Sequence, residues 1–250
     1  MAELAHIPWP LPRWIAHRGA GKLAPENTLA AFRLGAAHGY RAFECDVKLS
    51  ADGVPFLLHD ATLERTTPER GTAGDRPWAE LSRLDAGGWH SRTYAGEPPP
   101  SLAAVAAYVQ RNGFALNIEI KPTPGHDRAT GRAVGAWCAD HWPAGGSPLL
   151  FSSFRPEALQ GALETAPAVP RALLLDTLWH GWEAVAAQLA CIGVVTNHRL
   201  FDPALAGRLQ ALGLHGACYT VNDAAEAQRL LQLGVSSIIT DAVDALAPTA

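Results

Sequence analysis

Short apolar runs alternate with helix-like segments from one end of the chain to the other, and few folds accommodate that alternation. Strand-like runs occur at 14–16, 43–49, 115–120, 149–152, 172–175, 192–196, 216–221 and 237–240. Each leads into a helical pattern: 27–38, 101–112, 127–140, 156–165, 179–190, a helix opened by Asp202-Pro203 and closed by Gly213, another opened by Asp223 and closed by Gly234, and a short last one over 241–246. Ser101, Asp202 and Asp223 are side chains that cap helix N-termini, and Gly113, Gly213 and Gly234 suit C-terminal stops. Strand–helix alternation calls for a parallel sheet, and eight such units in 250 residues call for a closed (β/α)8 TIM barrel of the α/β class.

One interruption stands out. After the second strand, Asp52-Gly53 signals a tight turn, and 54–58 returns as a hairpin arm ending at His59-Asp60. From 61 to 100 the period is lost in Gly, Pro, Thr and scattered charge, ending at Pro98-Pro99-Pro100. A segment this long without regular pattern is expected to carry function, as an insertion within one barrel domain spanning 1–250.

Composition removes several function classes. The net charge is −4 with no basic run, so nonspecific nucleic-acid binding has no support. The N-terminus shows no basic region followed by an apolar core, and no apolar stretch approaches the roughly 18 residues of a membrane span. Cys45, Cys138, Cys191 and Cys218 are widely spaced, which fits free thiols in a reducing cytoplasm and neither a zinc cluster nor a disulfide framework.

In a barrel of this kind the working face is formed by the loops after the strands. His17, Arg18, Glu44, Asp46, His59, Asp60, Glu119 and Lys121 fall at the ends of the first few strands, and the later strand ends are mostly small or apolar. Along 43–49, Phe43, Cys45, Val47 and Leu49 share one face and Glu44, Asp46 and Lys48 the other. Two same-face carboxylates about 7 Å apart repel unless solvated or bridged by a cation. Asn117, Glu119 and Lys121 repeat the pattern, so Glu44, Asp46 and Glu119 offer three hard oxygen ligands for one Mg2+ or Ca2+. A solvated strand face, and an ion pair from Glu119 to Lys121 or Arg18, are the alternatives. His17 and His59 suit a pair of proton carriers, and Arg18 and Lys121 suit an anionic phosphate. Together they point to cleavage of a phosphate ester.

The chain resembles the glycerophosphodiester phosphodiesterases, especially the short cytoplasmic bacterial type. The likeness rests on His17-Arg18-Gly19-Ala20, Pro25-Glu26-Asn27-Thr28, Phe43-Glu44-Cys45-Asp46-Val47, Leu58-His59-Asp60 through Thr67, and Asn117-Ile118-Glu119-Ile120-Lys121. It continues through Ser152-Ser153-Phe154, Tyr219-Thr220-Val221-Asn222, and Gly234 through Asp241. The resemblance implies hydrolysis of small glycerophosphodiesters to sn-glycerol 3-phosphate and an alcohol. It implies a divalent cation on Glu44, Asp46 and Glu119, with His17 and His59 as the acid–base pair and Arg18 and Lys121 on the phosphate. Glu26, Asn27 and Asp60 would support the site, and Phe154 and Tyr219 would wall the glycerol. Tyr219 stands where the family commonly has tryptophan, which bears on substrate preference more than on catalysis. Rival readings are a lysophospholipase D-like enzyme on the same scaffold, a noncatalytic phosphate-binding module, and an enolase-like lyase.

Overall fold

The computed structural model describes residues 7–246 and Pro248. Its strands are β1 (Trp14–Ala16), β2 (Ala42–Leu49), β3 (Pro55–Leu57), β4 (Ala115–Ile120), β5 (Leu149–Ser153), β6 (Arg171–Leu175), β7 (Gly193–Asn197), β8 (His215–Tyr219) and β9 (Ser237–Thr240). All but β3 run parallel, and β1 pairs with both β2 and β9, which closes an eight-stranded barrel. β3 lies antiparallel on the far end of β2, with Val47 opposite Leu57 and Leu49 opposite Pro55, as the turn at Asp52-Gly53 foretold. The helices are α1 (Leu29–Ala37), α2 (Trp78–Leu81), α3 (Leu102–Arg111), α4 (Asp127–His141), α5 (Pro156–Thr165), α6 (Trp182–Gln188), α7 (Pro203–Leu212) and α8 (Ala224–Gln232).

Strand alternation divides the core in two. Phe43, Cys45 and Val47 of β2 and Leu116, Ile118 and Ile120 of β4 point outward and pack beneath the helices. Ala42, Ala115, Leu150, Ala172, Ala217 and Ile239 point inward and fill the barrel floor, with Leu11 and Trp9 against them. Each fully buried Leu, Ile or Phe is worth about 1.5–3 kcal/mol relative to leaving it exposed. The inward positions nearer the strand ends are polar. Glu44 pairs in register with Asn117, Asp46 with Glu119, and Glu119 with Ser152. The polar face of 43–49 therefore looks into the barrel mouth and not into bulk water.

The helix caps read from sequence form: the side chains of Ser101, Asp202 and Asp223 accept backbone N–H bonds from Ala104, Leu205 and Glu226. Two helices differ from expectation. α6 begins at Trp182, after the left-handed Gly181 (φ 90°), and not at 179. Residues 241–246 form turns and no helix. Asp241 is committed to His17 and Asn222, the Thr240 hydroxyl takes the Ala242 N–H, and Tyr40 Oη donates to the Leu246 carbonyl, so too few residues remain for a helical nucleus. The inserted stretch shares a small separate core with the hairpin arm, in which Phe56 and Leu58 pack with Leu63, Ala73, Leu81, Trp78 and Leu84.

α4 and α5 touch almost backbone to backbone. A Cβ on Gly131 would lie 1.9 Å from the Ala158 carbonyl oxygen, and one on Gly161 2.2 Å from that of Arg128. Gly131→Ala gains about 1 kcal/mol of helix propensity but must push the helices apart, an overpacking cost of about 1–3 kcal/mol. Thermal unfolding should show a net fall in Tm; a rise would mean that the two helices separate freely.

Candidate active site

The barrel mouth is assembled from the β1–α1 loop, the end of the hairpin, and the ends of β2, β4, β5, β8 and β9. The β1–α1 loop turns sharply, with Arg18 (φ 51°) and Asn27 (φ 58°) both in the left-handed region that side chains other than glycine rarely adopt. The Asn27 N–H donates to the Arg18 carbonyl at 2.9 Å, and the Arg18 N–H donates to Glu44 Oε2 at 3.0 Å. Asn27 then grips Asp46 twice: Nδ2 donates to Asp46 Oδ2 (2.8 Å), and Oδ1 accepts the Asp46 N–H (3.1 Å). The strained loop thus fixes both β2 carboxylates.

Glu44, Asp46 and Glu119 each present an oxygen within 4.8 Å of the others. Glu44 and Asp46 are buried, yet Glu44 Oε1 and Asp46 Oδ1 receive no hydrogen bond. Arg18 Nε lies 3.2 Å from Asp46 Oδ2, while Lys121 Nζ lies 2.9 Å from Glu119 Oε1 and 3.5 Å from Asp46 Oδ1. The Glu119–Lys121 ion pair therefore forms alongside the carboxylate cluster and does not replace it. Burial, then repulsion from Asp46 and Glu119, pushes the Glu44 carboxyl well above its ordinary range. Burial and Asp46 lift Glu119 to about 7. Burial works to raise Asp46 too, but Arg18 and Lys121 outweigh it and hold that carboxylate down. Such a group can hold one hard divalent cation, which would satisfy the orphaned oxygens and remove the repulsion.

The two histidines flank this cluster in matching ways. His17 Nδ1 sits 2.6 Å from Asp241 Oδ1, with Nε2 3.8 Å from Glu44 Oε2. His59 Nδ1 sits 2.6 Å from Asp60 Oδ1, with Nε2 2.8 Å from Lys121 Nζ. Each carboxylate orients its ring and fixes the proton on Nδ1, leaving Nε2 toward the mouth. Burial lowers the His59 pKa, with the Asp46 charge opposing. Both rings border a cavity of about 220 Å³ whose opposite wall is Phe154 and Tyr219, packed edge to face at 5.6 Å.

A profile of the "Glycerophosphoryl diester phosphodiesterase family" matches residues 17–245. The chain belongs to that family. A glycerophosphodiester phosphodiesterase of Caldanaerobacter subterraneus is 31% identical over 235 residues, covering 91% of this chain and 93% of the relative. Among solved structures, a phosphodiesterase from Oleispira antarctica in complex with the product sn-glycerol-3-phosphate superposes with a TM-score of 0.88 at 36% identity, covering 93% of this chain and 94% of that one. A glycerophosphodiester phosphodiesterase from Agrobacterium tumefaciens gives a TM-score of 0.78 at 29% identity, covering 94% and 98%. This member of the glycerophosphodiester phosphodiesterases is accordingly a phosphoric diester hydrolase.

The structure adds residues to this phosphodiesterase mouth that sequence reasoning did not assign. Asp241 reaches His17 because β9 closes beside β1, where Ala16 pairs with Thr240 and the next residues of each strand face one another. Arg65, from the inserted stretch, bridges Asp60 (2.7 Å) and Glu26 (2.7 Å), and Glu26 also accepts from Arg18 (2.9 Å). Lys48 is fully buried, and its ammonium donates to the carbonyls of Leu58 (3.2 Å), His59 (3.1 Å) and Lys121 (3.1 Å). It thereby ties the hairpin end that carries His59 to the strand end that carries Lys121. Burial lowers its pKa to about 8, against the pull of Asp46. Lys48→Met leaves those three carbonyls without a donor, at about 1–3 kcal/mol for each one left unsatisfied. Urea denaturation should register a loss of at least that size, and hydrogen exchange should quicken at 58–60. Unchanged stability and exchange would show that the carbonyls find other donors.

Proposed function

We propose that this chain hydrolyses glycerophosphodiesters to sn-glycerol 3-phosphate and an alcohol. The observation that carries the reading is the three-carboxylate cluster set between two imidazoles, each with its own aspartate behind it. The Oleispira relative held with sn-glycerol-3-phosphate supports the product assignment. Glu44, Asp46 and Glu119 would hold one Mg2+ or Ca2+. When bound, that ion polarises a nonbridging phosphate oxygen and offsets charge gathering on the phosphoryl group.

The remaining work falls to the protein's own side chains. Arg18 and Lys121 border the cavity and bind the phosphate oxygens, the guanidinium offering a fork and the ammonium a point charge. His17 and His59 carry protons at Nε2, one ring taking the proton of the attacking hydroxyl and the other giving one to the departing alkoxide. Each is worth roughly 10²–10⁴ in rate. Asp60 and Asp241 keep the rings in the productive tautomer, Glu26 and Asn27 hold Arg18 and Asp46 in place, and Phe154 and Tyr219 pack on the glycerol carbons. The four buried, unpaired thiols support a reducing compartment such as the cytoplasm.

The test is a coupled assay for glycerol 3-phosphate released from soluble glycerophosphodiesters. Activity should vanish with EDTA and return with added divalent ion. His17→Ala and His59→Ala should each lose 10²-fold or more in kcat while keeping the wild-type circular dichroism spectrum. Full activity in EDTA would remove the cation from the reaction, and full activity in either variant would remove that histidine.

A further inference from the structure

A phosphodiester carries two ester arms on one phosphorus, and the mouth has two cavities that meet at His17 and Arg18. The first, described above, ends at Phe154 and Tyr219. The second, about 380 Å³, is bordered by the same two residues. It is completed by Glu26, Asp241, Lys22 and, from the inserted stretch, Trp89 and His90. A phosphate bound by Arg18 with one arm in the first cavity would have the second within reach of its other arm.

Trp89 is built to stay at that rim. The residue is 43% exposed, an uncommon state for so large an apolar group. Its loop is nevertheless fixed: Asp85 Oδ1 accepts the Gly87 and Gly88 N–H groups at 2.9 and 2.7 Å, and Trp89 Nε1 donates to the Ala86 carbonyl at 2.8 Å. His90 packs against the indole at 5.7 Å between centroids, and its Nε2 sits 3.0 Å from the Lys22 carbonyl oxygen, which fastens the loop to the β1–α1 turn. With its N–H already used, the indole has only its ring surface to offer a ligand.

The chemistry of the walls selects the arm. Glu26 is taken by Arg18 and Arg65, and Asp241 by His17 and Asn222, so neither carboxylate is free for a cationic headgroup. The ammonium of Lys22 has no partner among the described residues and would repel such a headgroup. A quaternary ammonium prefers a cage of several aromatic rings, and here one indole is present. A neutral hydroxylated arm meets none of these obstacles. Its C–H face can lie on Trp89, and its hydroxyls can accept from Lys22.

We propose that Trp89 and Lys22 form the subsite for the leaving alcohol, and that this alcohol is a neutral polyol of the glycerol or inositol type. The proposal rests on the hydrolytic reading above. The experiment compares kcat/KM for glycerophosphoglycerol, glycerophosphoinositol and glycerophosphocholine, by glycerol 3-phosphate release, in the wild type, Trp89→Ala and Trp89→Phe. It also measures inhibition of each protein by glycerol 3-phosphate. The wild type should favour the polyol diesters. Trp89→Ala should lower kcat/KM for them about tenfold, mostly through KM, the scale of one good aromatic contact. Trp89→Phe should recover most of that loss, with the choline diester and the glycerol 3-phosphate inhibition constant little changed. Equal losses on all three diesters, no loss on any, or a larger loss on the choline diester would overturn the subsite. Absence of turnover of every diester by the wild type would instead overturn the hydrolytic reading, and the subsite with it.

Discussion

Three carboxylates held within 4.8 Å of one another, two of them buried, set the terms for everything at the mouth of this barrel. Anions so close repel strongly at the low effective dielectric of a protein interior, and water cannot screen them there. Arg18 and Lys121 answer for Asp46 and for one edge of Glu119, while Glu44 receives a single backbone N–H. The arrangement persists because the backbone leaves the side chains little choice. Asn27 clamps Asp46 from a left-handed turn, and the parallel register sets Asp46 beside Glu119. A divalent cation held there would offset this repulsion.

The barrel makes such a cluster possible by separating its interior into levels. Small and branched apolar side chains fill the floor and a larger apolar layer packs outside the strands beneath the helices, so the mouth remains free for polar groups. A scaffold of alternating charge then surrounds the carboxylates. Arg18, Glu26, Arg65, Asp60 and His59 form a continuous chain of ion pairs around the rim, and Lys48 anchors two of its backbone segments from beneath. The inserted stretch belongs to this scaffold, since it supplies Arg65 to the network and Trp89 to the rim.

Much of this was legible in the sequence, for identifiable reasons. Eight strand–helix alternations leave few topologies, and the period of two along 43–49 alone puts Glu44 and Asp46 on one face. Only their destination was ambiguous, because alternation cannot distinguish a face toward solvent from one toward a barrel interior. Lys48 illustrates the limit: it shares that face, yet its carbonyl partners come from 58–59 and 121 and depend on how the hairpin folds back. The partnership of Asp241 with His17 was hidden for a related reason, since the pairing of β9 with β1 joins residues more than 220 positions apart. The turns at 241–246 reflect side chains diverted to tertiary partners, which local helix signals do not encode. The motifs that carry the family resemblance run from His17 to Asp241, in agreement with the profile match over 17–245.

Titration of divalent ion into the stripped full-length protein, followed by calorimetry, speaks to the carboxylate cluster itself. One ion per chain should bind, with apparent affinity weakening as the pH is lowered from about 7.5 to about 6. The reason is that Glu119, pushed up to about 7 in the ion-free protein, then takes a proton that the ion must displace. Asp46→Asn should abolish the binding. No saturable binding in the wild type, or binding unchanged by Asp46→Asn, would show that the three carboxylates are held together for some purpose other than gripping a cation.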